Sequence, residues 1–70
     1  MNLKINGEIK NINSANQEFS LEDLIKLLGN QPQLVVVELN GIIVNPQNWK
    51  IINIKEGDCL EIVTIVGGGS

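Results

Sequence analysis

Only one segment of this 70-residue chain has the hydrophobic spacing of a helix, and that limits the fold more than any other feature. In FSLEDLIKLLGN, leucine and isoleucine recur at the i, i+3, i+4 and i+7 positions of one helix face: Leu21, Leu24, Ile25 and Leu28. We therefore predict a single helix, Leu21 to Leu28. Because one helix covers only one face of a sheet, the other face must meet water or a partner.

The residues that flank this segment are suited to helix ends. Ser20 is placed as the N-cap, and Asp23 at the third helical position nearly completes a capping box. Phe19 can pack on Leu24 as a hydrophobic staple, and Gly29 lies where a left-handed residue ends a helix.

The opening residues, NLKINGEIK, indicate a β-hairpin. Leu3 and Ile5 alternate with polar residues, as expected for a strand with one buried face. Asn6-Gly7 supplies the two positive φ angles of a type I′ turn, so Glu8 to Ile12 is predicted as the returning strand. The polar stretch NSANQ then connects the hairpin to the helix.

Turn residues separate the remaining strand-like segments. LVVVEL is short, β-branched and almost continuously apolar, which is typical of a buried strand. Asn40-Gly41 turns into a short strand at Ile42 to Val44, and Asn45-Pro46 opens a turn or one helical turn. KIINIK is interpreted as containing a short edge strand. Glu56-Gly57-Asp58 forms a tight turn before the last strand, Cys59 to Val66.

This order of elements predicts an α+β domain over residues 1–66. The sheet is expected to be mixed, with four or five strands and the helix packed on one face. The first strand should lie beside the last, because these two have the most regular alternation. Residues 67–70 are expected to form a flexible, glycine-rich C-terminal tail.

The face of the sheet away from the helix is the candidate docking surface. If the residue sets without glutamate face the helix, the open face carries Leu34, Val36, Glu38, Glu61, Val63 and Ile65. A contiguous apolar patch beside a tail suggests docking, and the two glutamates could steer a basic partner surface. The alternatives are that neighbouring loops cover these residues, or that the register differs by one.

The composition excludes several classes of function. A net charge of −3 without a basic stripe makes nucleic acid and anionic membranes poor partners, and no apolar run is long enough to span a bilayer. The start lacks the apolar core of a secretory signal, and one cysteine forms no internal disulfide, which suits the cytoplasm.

The side chains also lack catalytic groups. The chain has no histidine, and Cys59, with Asp58 and Glu61 nearby, is interpreted as structural or incidental. We expect no metal site, no cofactor and no enzymatic activity. GGG precedes no helix, so it is not a phosphate cradle. The C-terminal carboxylate is the group left to react, and glycines would let it enter a narrow active site.

Two segments resemble the sulfur-carrier proteins of thiamin biosynthesis, the ThiS family of the β-grasp, ubiquitin-like superfamily. GDCLEIVTIVGGG is similar to the family's terminal strand and Gly-Gly end, and LNGIIVNPQNW is similar to its middle segment. The related molybdopterin carriers (MoaD) typically have Pro-Pro before the tail, where this chain has VTIV. Trp49 after Asn45-Pro46 also favours the thiamin branch, although its main role is expected to be in the core.

The resemblance implies a carrier that is itself the substrate. An adenylating enzyme of the ThiF type would activate the carboxylate of Gly69, and sulfur would replace AMP to leave a thiocarboxylate. A cysteine desulfurase or another persulfide donor would supply the sulfur indirectly, and thiazole synthase of the ThiG type would accept it. Gly68 matches the other member of the family's terminal pair, and Gly67 lies where small residues vary.

Ser70 departs from the family pattern, because an amide at Gly69 cannot be adenylated. We expect Ser70 to be absent from the working protein, either removed by a peptidase or added artificially. Two other functions stay open. One is sulfur delivery to another pathway, of the molybdopterin or cysteine type. The other is a non-covalent β-grasp binding module, in which GGGS would be the start of an engineered linker.

Overall fold

The computed structural model describes residues 1–13 and 18–65. Within these residues the elements are β1 (Asn2–Ile5), β2 (Glu8–Asn11), α1 (Leu21–Leu27), β3 (Val35–Leu39), β4 (Ile42–Val44) and β5 (Cys59–Thr64), with short 3₁₀ turns at Pro32–Leu34 and Pro46–Asn48. Most of the predicted polar connection, the end of the predicted last strand at Val66, and the predicted tail of residues 67–70 lie outside the described residues.

The helix begins and ends with the caps that its sequence predicts. The Ser20 hydroxyl accepts a hydrogen bond from the Asp23 backbone N–H at 3.1 Å, and the Asp23 carboxylate accepts one from the Ser20 N–H at 3.1 Å. Gly29 has a φ of 82° and donates to the Lys26 carbonyl, while Asn30 donates to the Ile25 carbonyl. These two bonds form a Schellman motif, which ends α1 one residue earlier than predicted.

The sheet is mixed, as predicted, with the strand order β2-β1-β5-β3-β4. β1 and β5 pair in parallel, and the other three pairs are antiparallel. The first strand therefore lies beside the last, and β5 is the central strand. A parallel pair needs a long crossover, and the chain between β1 and β5 includes α1, which packs across one face.

The core lies between α1 and that face. The helix contributes Leu21, Leu24 and Ile25, all with no exposed surface. The strands contribute alternate residues, which follow from their period of two: Leu3, Ile5, Val35, Val37 and Leu60. Burial of a leucine or isoleucine side chain stabilises the fold by about 1.5–3 kcal/mol.

Trp49 is a core residue, as expected. Its side chain is buried, and its indole N–H donates a hydrogen bond to the Val44 carbonyl at 3.1 Å. The 3₁₀ turn before it begins at the predicted Asn45-Pro46, where the Asn45 side chain accepts from the Gln47 N–H at 3.0 Å. This bond positions Trp49 by closing the turn immediately before it.

The predicted edge strand in KIINIK is wrong. Its one β-bridge joins Asn53 to Ser20, and the Ile54 N–H donates to the Phe19 carbonyl at 2.8 Å. Ile54 is buried in the core. The segment therefore pairs with the chain that enters α1, because that position lets Ile54 reach the core, and it joins no edge of the sheet.

Replacing the cap residue tests whether the capping box supports the fold. We expect Ser20→Ala to lower the free energy of unfolding by about 1 kcal/mol, because it leaves the Asp23 N–H without its acceptor. Urea denaturation followed by Trp49 fluorescence measures this change. Ser20→Thr keeps the hydroxyl and should lose much less. Equal losses in the two variants would contradict this role for the hydroxyl.

Candidate functional site

The uncovered face of the sheet carries two consecutive pairs of residues across its central strands. In the antiparallel register of β3 and β5, Val36 lies opposite Val63, and Glu38 lies opposite Glu61. Opposed residues share a face, and residues two apart on a strand share it too. An apolar pair and an acidic pair are thus next to each other on the open face.

The apolar side chains of this face are exposed. Val63 is 60% exposed and Val36 is 38% exposed, whereas Val37, between Val36 and Glu38 on β3, is completely buried. Ile65 follows β5 and is 50% exposed. The alternation predicted from the sequence therefore holds in both strands, and the described loops leave these side chains open. Their role in docking stays a prediction.

Leu34 is placed by a turn and not by a strand. It ends the 3₁₀ turn Pro32–Leu34, immediately before β3, and is exposed. The Ile65 N–H donates to the Leu34 carbonyl at 2.6 Å, so the backbone pairing continues just past the end of β5. This bond places Leu34 beside the point where the chain leaves the sheet.

A groove of about 560 Å³ continues the apolar surface toward the β4 edge. Uncharged residues line it: Pro32, Gln33, Val35, Val36, Ile43, Val44, Asn45, Pro46 and Ile65. Ile43 is exposed and lies opposite Glu38 across β3 and β4. Sequence analysis missed Ile43 as a surface residue, and alternation alone would not have identified it, because its neighbour Ile42 is also exposed.

The acidic pair has no basic partner among the described residues. Glu38 is half-buried and Glu61 is exposed. The ion pair found in the described part of the chain lies elsewhere, on α1, where Lys26 contacts Glu22 at 3.6 Å. Like charges directly opposite each other on adjacent strands are destabilising. A partner that brings a cation to this point would therefore relieve a repulsion present in the free protein.

The described residues show no metal-binding cluster. No group of three or more histidine, cysteine or carboxylate residues in residues 1–13 and 18–65 could hold a metal ion. Cys59 is half-buried and its backbone N–H donates to the Asn40 side chain at 2.9 Å. No helix in that part of the chain is long and apolar enough to cross a membrane.

Two asparagines hold β5, and sequence analysis identified both only as turn residues. Asn6 and Asn40 have φ angles of 52° and 51° and each precedes a glycine. The Asn6 side chain binds the backbone of Ile62, and the Asn40 side chain binds that of Cys59. The Asn-Gly dipeptides predict turns at these two positions, but they do not predict that the asparagine side chains bind β5.

The predicted reactive end lies outside the described residues. Gly67, Gly68, Gly69 and Ser70 follow Ile65 by way of Val66, so the open face and the groove are the described surfaces nearest in sequence to that end. The candidate site is therefore this surface together with the C-terminal residues.

Comparison with known proteins identifies a matching family and a matching fold. The family model described as the ThiS family matches residues 3–69. The crystal structure of a thiamine biosynthesis protein (ThiS) from Geobacter metallireducens superposes with a TM-score of 0.82 at 30% identity, covering 99% of this chain and 100% of that one. The β-grasp fold is thereby confirmed.

Two curated relatives match this chain over very different shares of their own length. This chain is 46% identical over 50 residues to an uncharacterized protein, ycf40, from Trieres chinensis, covering 71% of this chain and 68% of that protein. It is 39% identical over 70 residues to a thiazole synthase from Paramagnetospirillum magneticum. That match covers all of this chain but only 21% of the thiazole synthase.

Removing one charge of the acidic pair should stabilise the isolated protein. We expect Glu38→Gln to raise the free energy of unfolding by a few tenths of a kcal/mol, because it removes the repulsion from Glu61. Urea denaturation at low and at high salt measures the change, and the gain should shrink as salt screens the charges. Glu8→Gln is the matched control, since Glu8 lies opposite the apolar Ile5. An equal gain in both variants would contradict repulsion within the pair.

Proposed function

Because the chain belongs to the ThiS family, we propose that it is a sulfur carrier of thiamin biosynthesis whose C-terminal glycine is converted to a thiocarboxylate. The observation that carries this proposal is a family match that extends through Gly69. The protein is the substrate that other enzymes modify and not the catalyst.

The chemistry needs a free carboxylate at Gly69. A carboxylate oxygen attacks the α-phosphorus of ATP and pyrophosphate leaves, which gives an acyl-adenylate. A sulfur nucleophile from a persulfide then attacks the acyl carbon and AMP leaves, and reductive cleavage of the remaining S–S bond by a thiol gives the thiocarboxylate. Gly67 and Gly68 have no Cβ, so a narrow active site can accept them.

The open face is proposed as the surface that the adenylating enzyme, of the ThiF type, recognises. Val63, Ile65, Val36 and Leu34 would be the apolar anchors, and the groove beside Ile65 would extend the contact. Exposed apolar area of this kind supplies the binding free energy, whereas the acidic pair would raise the association rate with a basic surface.

The proposed acceptor of the sulfur is a thiazole synthase of the ThiG type. Its support is the relative named thiazole synthase, which contains a stretch similar to the whole of this chain within a much longer protein. Two functions joined in one polypeptide commonly act together when they are separate chains. A cysteine desulfurase or another persulfide donor would supply the sulfur indirectly.

The identity of the reactive residue can be tested by mass. A chain ending at Gly69 and a chain ending at Ser70 are each incubated with the adenylating enzyme, ATP and a persulfide donor, and both are weighed by intact mass spectrometry. We expect the mass increase of one oxygen-to-sulfur exchange only in the chain ending at Gly69.

The same experiment without ATP is the control, because replacement of the carboxylate oxygen requires the adenylate. Sulfur gain by the chain that keeps Ser70 would show that Gly69 is not the reactive terminus. No gain in either chain would argue against the carrier function as a whole.

The docking surface can be tested with Val63→Asp. We expect the dissociation constant for the adenylating enzyme to rise at least about tenfold, or ~1.4 kcal/mol, because a charge would be buried in the apolar contact. Because Val63 lies on the central strand and on the same face as Glu61, the aspartate should also lower the unfolding free energy by about 1 kcal/mol, so binding is compared under conditions in which the variant is fully folded. Isothermal titration calorimetry and urea denaturation measure the two quantities.

Ile51→Asp is the matched control, since Ile51 is 77% exposed and lies outside the strands. It introduces the same charge into the same class of side chain and should bind as the wild type does. Equal weakening by both variants would indicate a general charge effect, and no weakening by Val63→Asp would remove the open face as the interface.

A further inference from the structure

Asn6 continues the pairing of β5 beyond the point where β1 turns away. The β1 and β5 backbones pair at Lys4 with Cys59 and at Ile5 with Leu60, and the Asn6 N–H donates to the Leu60 carbonyl at 2.9 Å. At Asn6 the chain enters the hairpin turn with a φ of 52°. The next rung of a parallel ladder would need a β1 backbone that is no longer there.

The side-chain amide of Asn6 supplies that rung. Its Oδ1 accepts a hydrogen bond from the Ile62 N–H at 2.7 Å, and its Nδ2 donates to the Ile62 carbonyl at 3.2 Å. A primary amide carries both an acceptor and donors, as a peptide group does. Both backbone groups of Ile62 that face β1 are therefore paired, by a residue 56 positions away in sequence.

This contact lies in the second half of β5, two residues before the strand ends at Thr64. On the opposite edge of β5, the Ile65 N–H is bound to the Leu34 carbonyl. Asn6 and Leu34 thus hold the last part of the strand from both sides. Without the Asn6 amide, the β1 edge at Ile62 would have no bond from a described residue.

From this geometry we infer that Asn6 is a positioning residue for the carrier reaction. It fixes the position of Ile62 in β5, the last described strand before the C-terminal residues, and this inference rests on the proposed function. A bound carrier reacts only if its carboxylate reaches the phosphate of ATP in a productive geometry, and small displacements of such a group lower rates strongly.

Asn40 provides a control within the same molecule. It also has a positive φ and precedes a glycine, and its Oδ1 accepts from the Cys59 N–H at 2.9 Å. Its Nδ2 donates to the Asp58 carboxylate at 3.1 Å. Its side-chain oxygen also accepts from the backbone of β5, but at the first residue of the strand, three residues before Ile62.

The experiment compares Asn6→Gly with Asn40→Gly in the chain form that accepts sulfur. Glycine adopts the positive φ of both turns, so each variant loses the side-chain amide and keeps the turn. Unfolding free energy, the dissociation constant for the adenylating enzyme and the single-turnover rate of thiocarboxylate formation at saturating enzyme are measured for both. Amide hydrogen exchange at Ile62 is measured by NMR.

In Asn6→Gly we expect roughly tenfold slower thiocarboxylate formation in the saturated complex, with the dissociation constant little changed. Exchange at Ile62 should accelerate beyond what the change in global stability explains. Asn40→Gly should react at the wild-type rate once bound, whatever its loss of stability.

Equal reaction rates in the two bound variants, or a loss in Asn6→Gly that lies entirely in binding, would overturn the inference. If even the wild-type chain gains no sulfur, the proposed function fails instead. The exchange measurement needs no partner, so it then decides alone: unchanged relative protection of Ile62 in Asn6→Gly would still overturn the inference.

Discussion

The fold of the described residues depends on one geometric limit, which is that their single short helix covers only one face of a five-stranded sheet. The contact of Leu21, Leu24 and Ile25 with the strands buries one set of alternating residues and leaves the opposite set open. The same strands therefore supply both the core residues and the residues of the open face, because consecutive side chains of a strand point to opposite faces.

β5 joins these two roles. It is the central strand of the sheet, paired with β1 on one edge and with β3 on the other. Leu60 enters the core while Glu61 and Val63 lie on the open face. A strand held in this way provides a rigid base for the residues that follow it, which suits a protein whose reactive group would be at its C-terminal end.

The acidic pair illustrates a local cost on this surface. Glu38 and Glu61 are opposed in the middle of the sheet, at a position where two apolar or oppositely charged residues would be more stable. Locally unfavourable choices in an otherwise consistent sequence commonly mark functional surfaces. The pair lies beside the apolar residues Val36 and Val63, so the open face combines a region for burial with a region for charge recognition.

The sequence by itself determined what depends on local patterns. The capping box of Ser20, the left-handed Gly29 and the Asn-Gly turns require only neighbouring residues, and the alternation of strands predicts which residues are buried. The tertiary structure decided the contacts between distant residues. It paired the segment around Asn53 with the helix entrance, placed Ile43 beside the groove and joined the Asn6 amide to Ile62. Such contacts depend on how the strands are ordered and packed, and hydrophobic periodicity specifies the face of each residue but not its neighbour across the sheet.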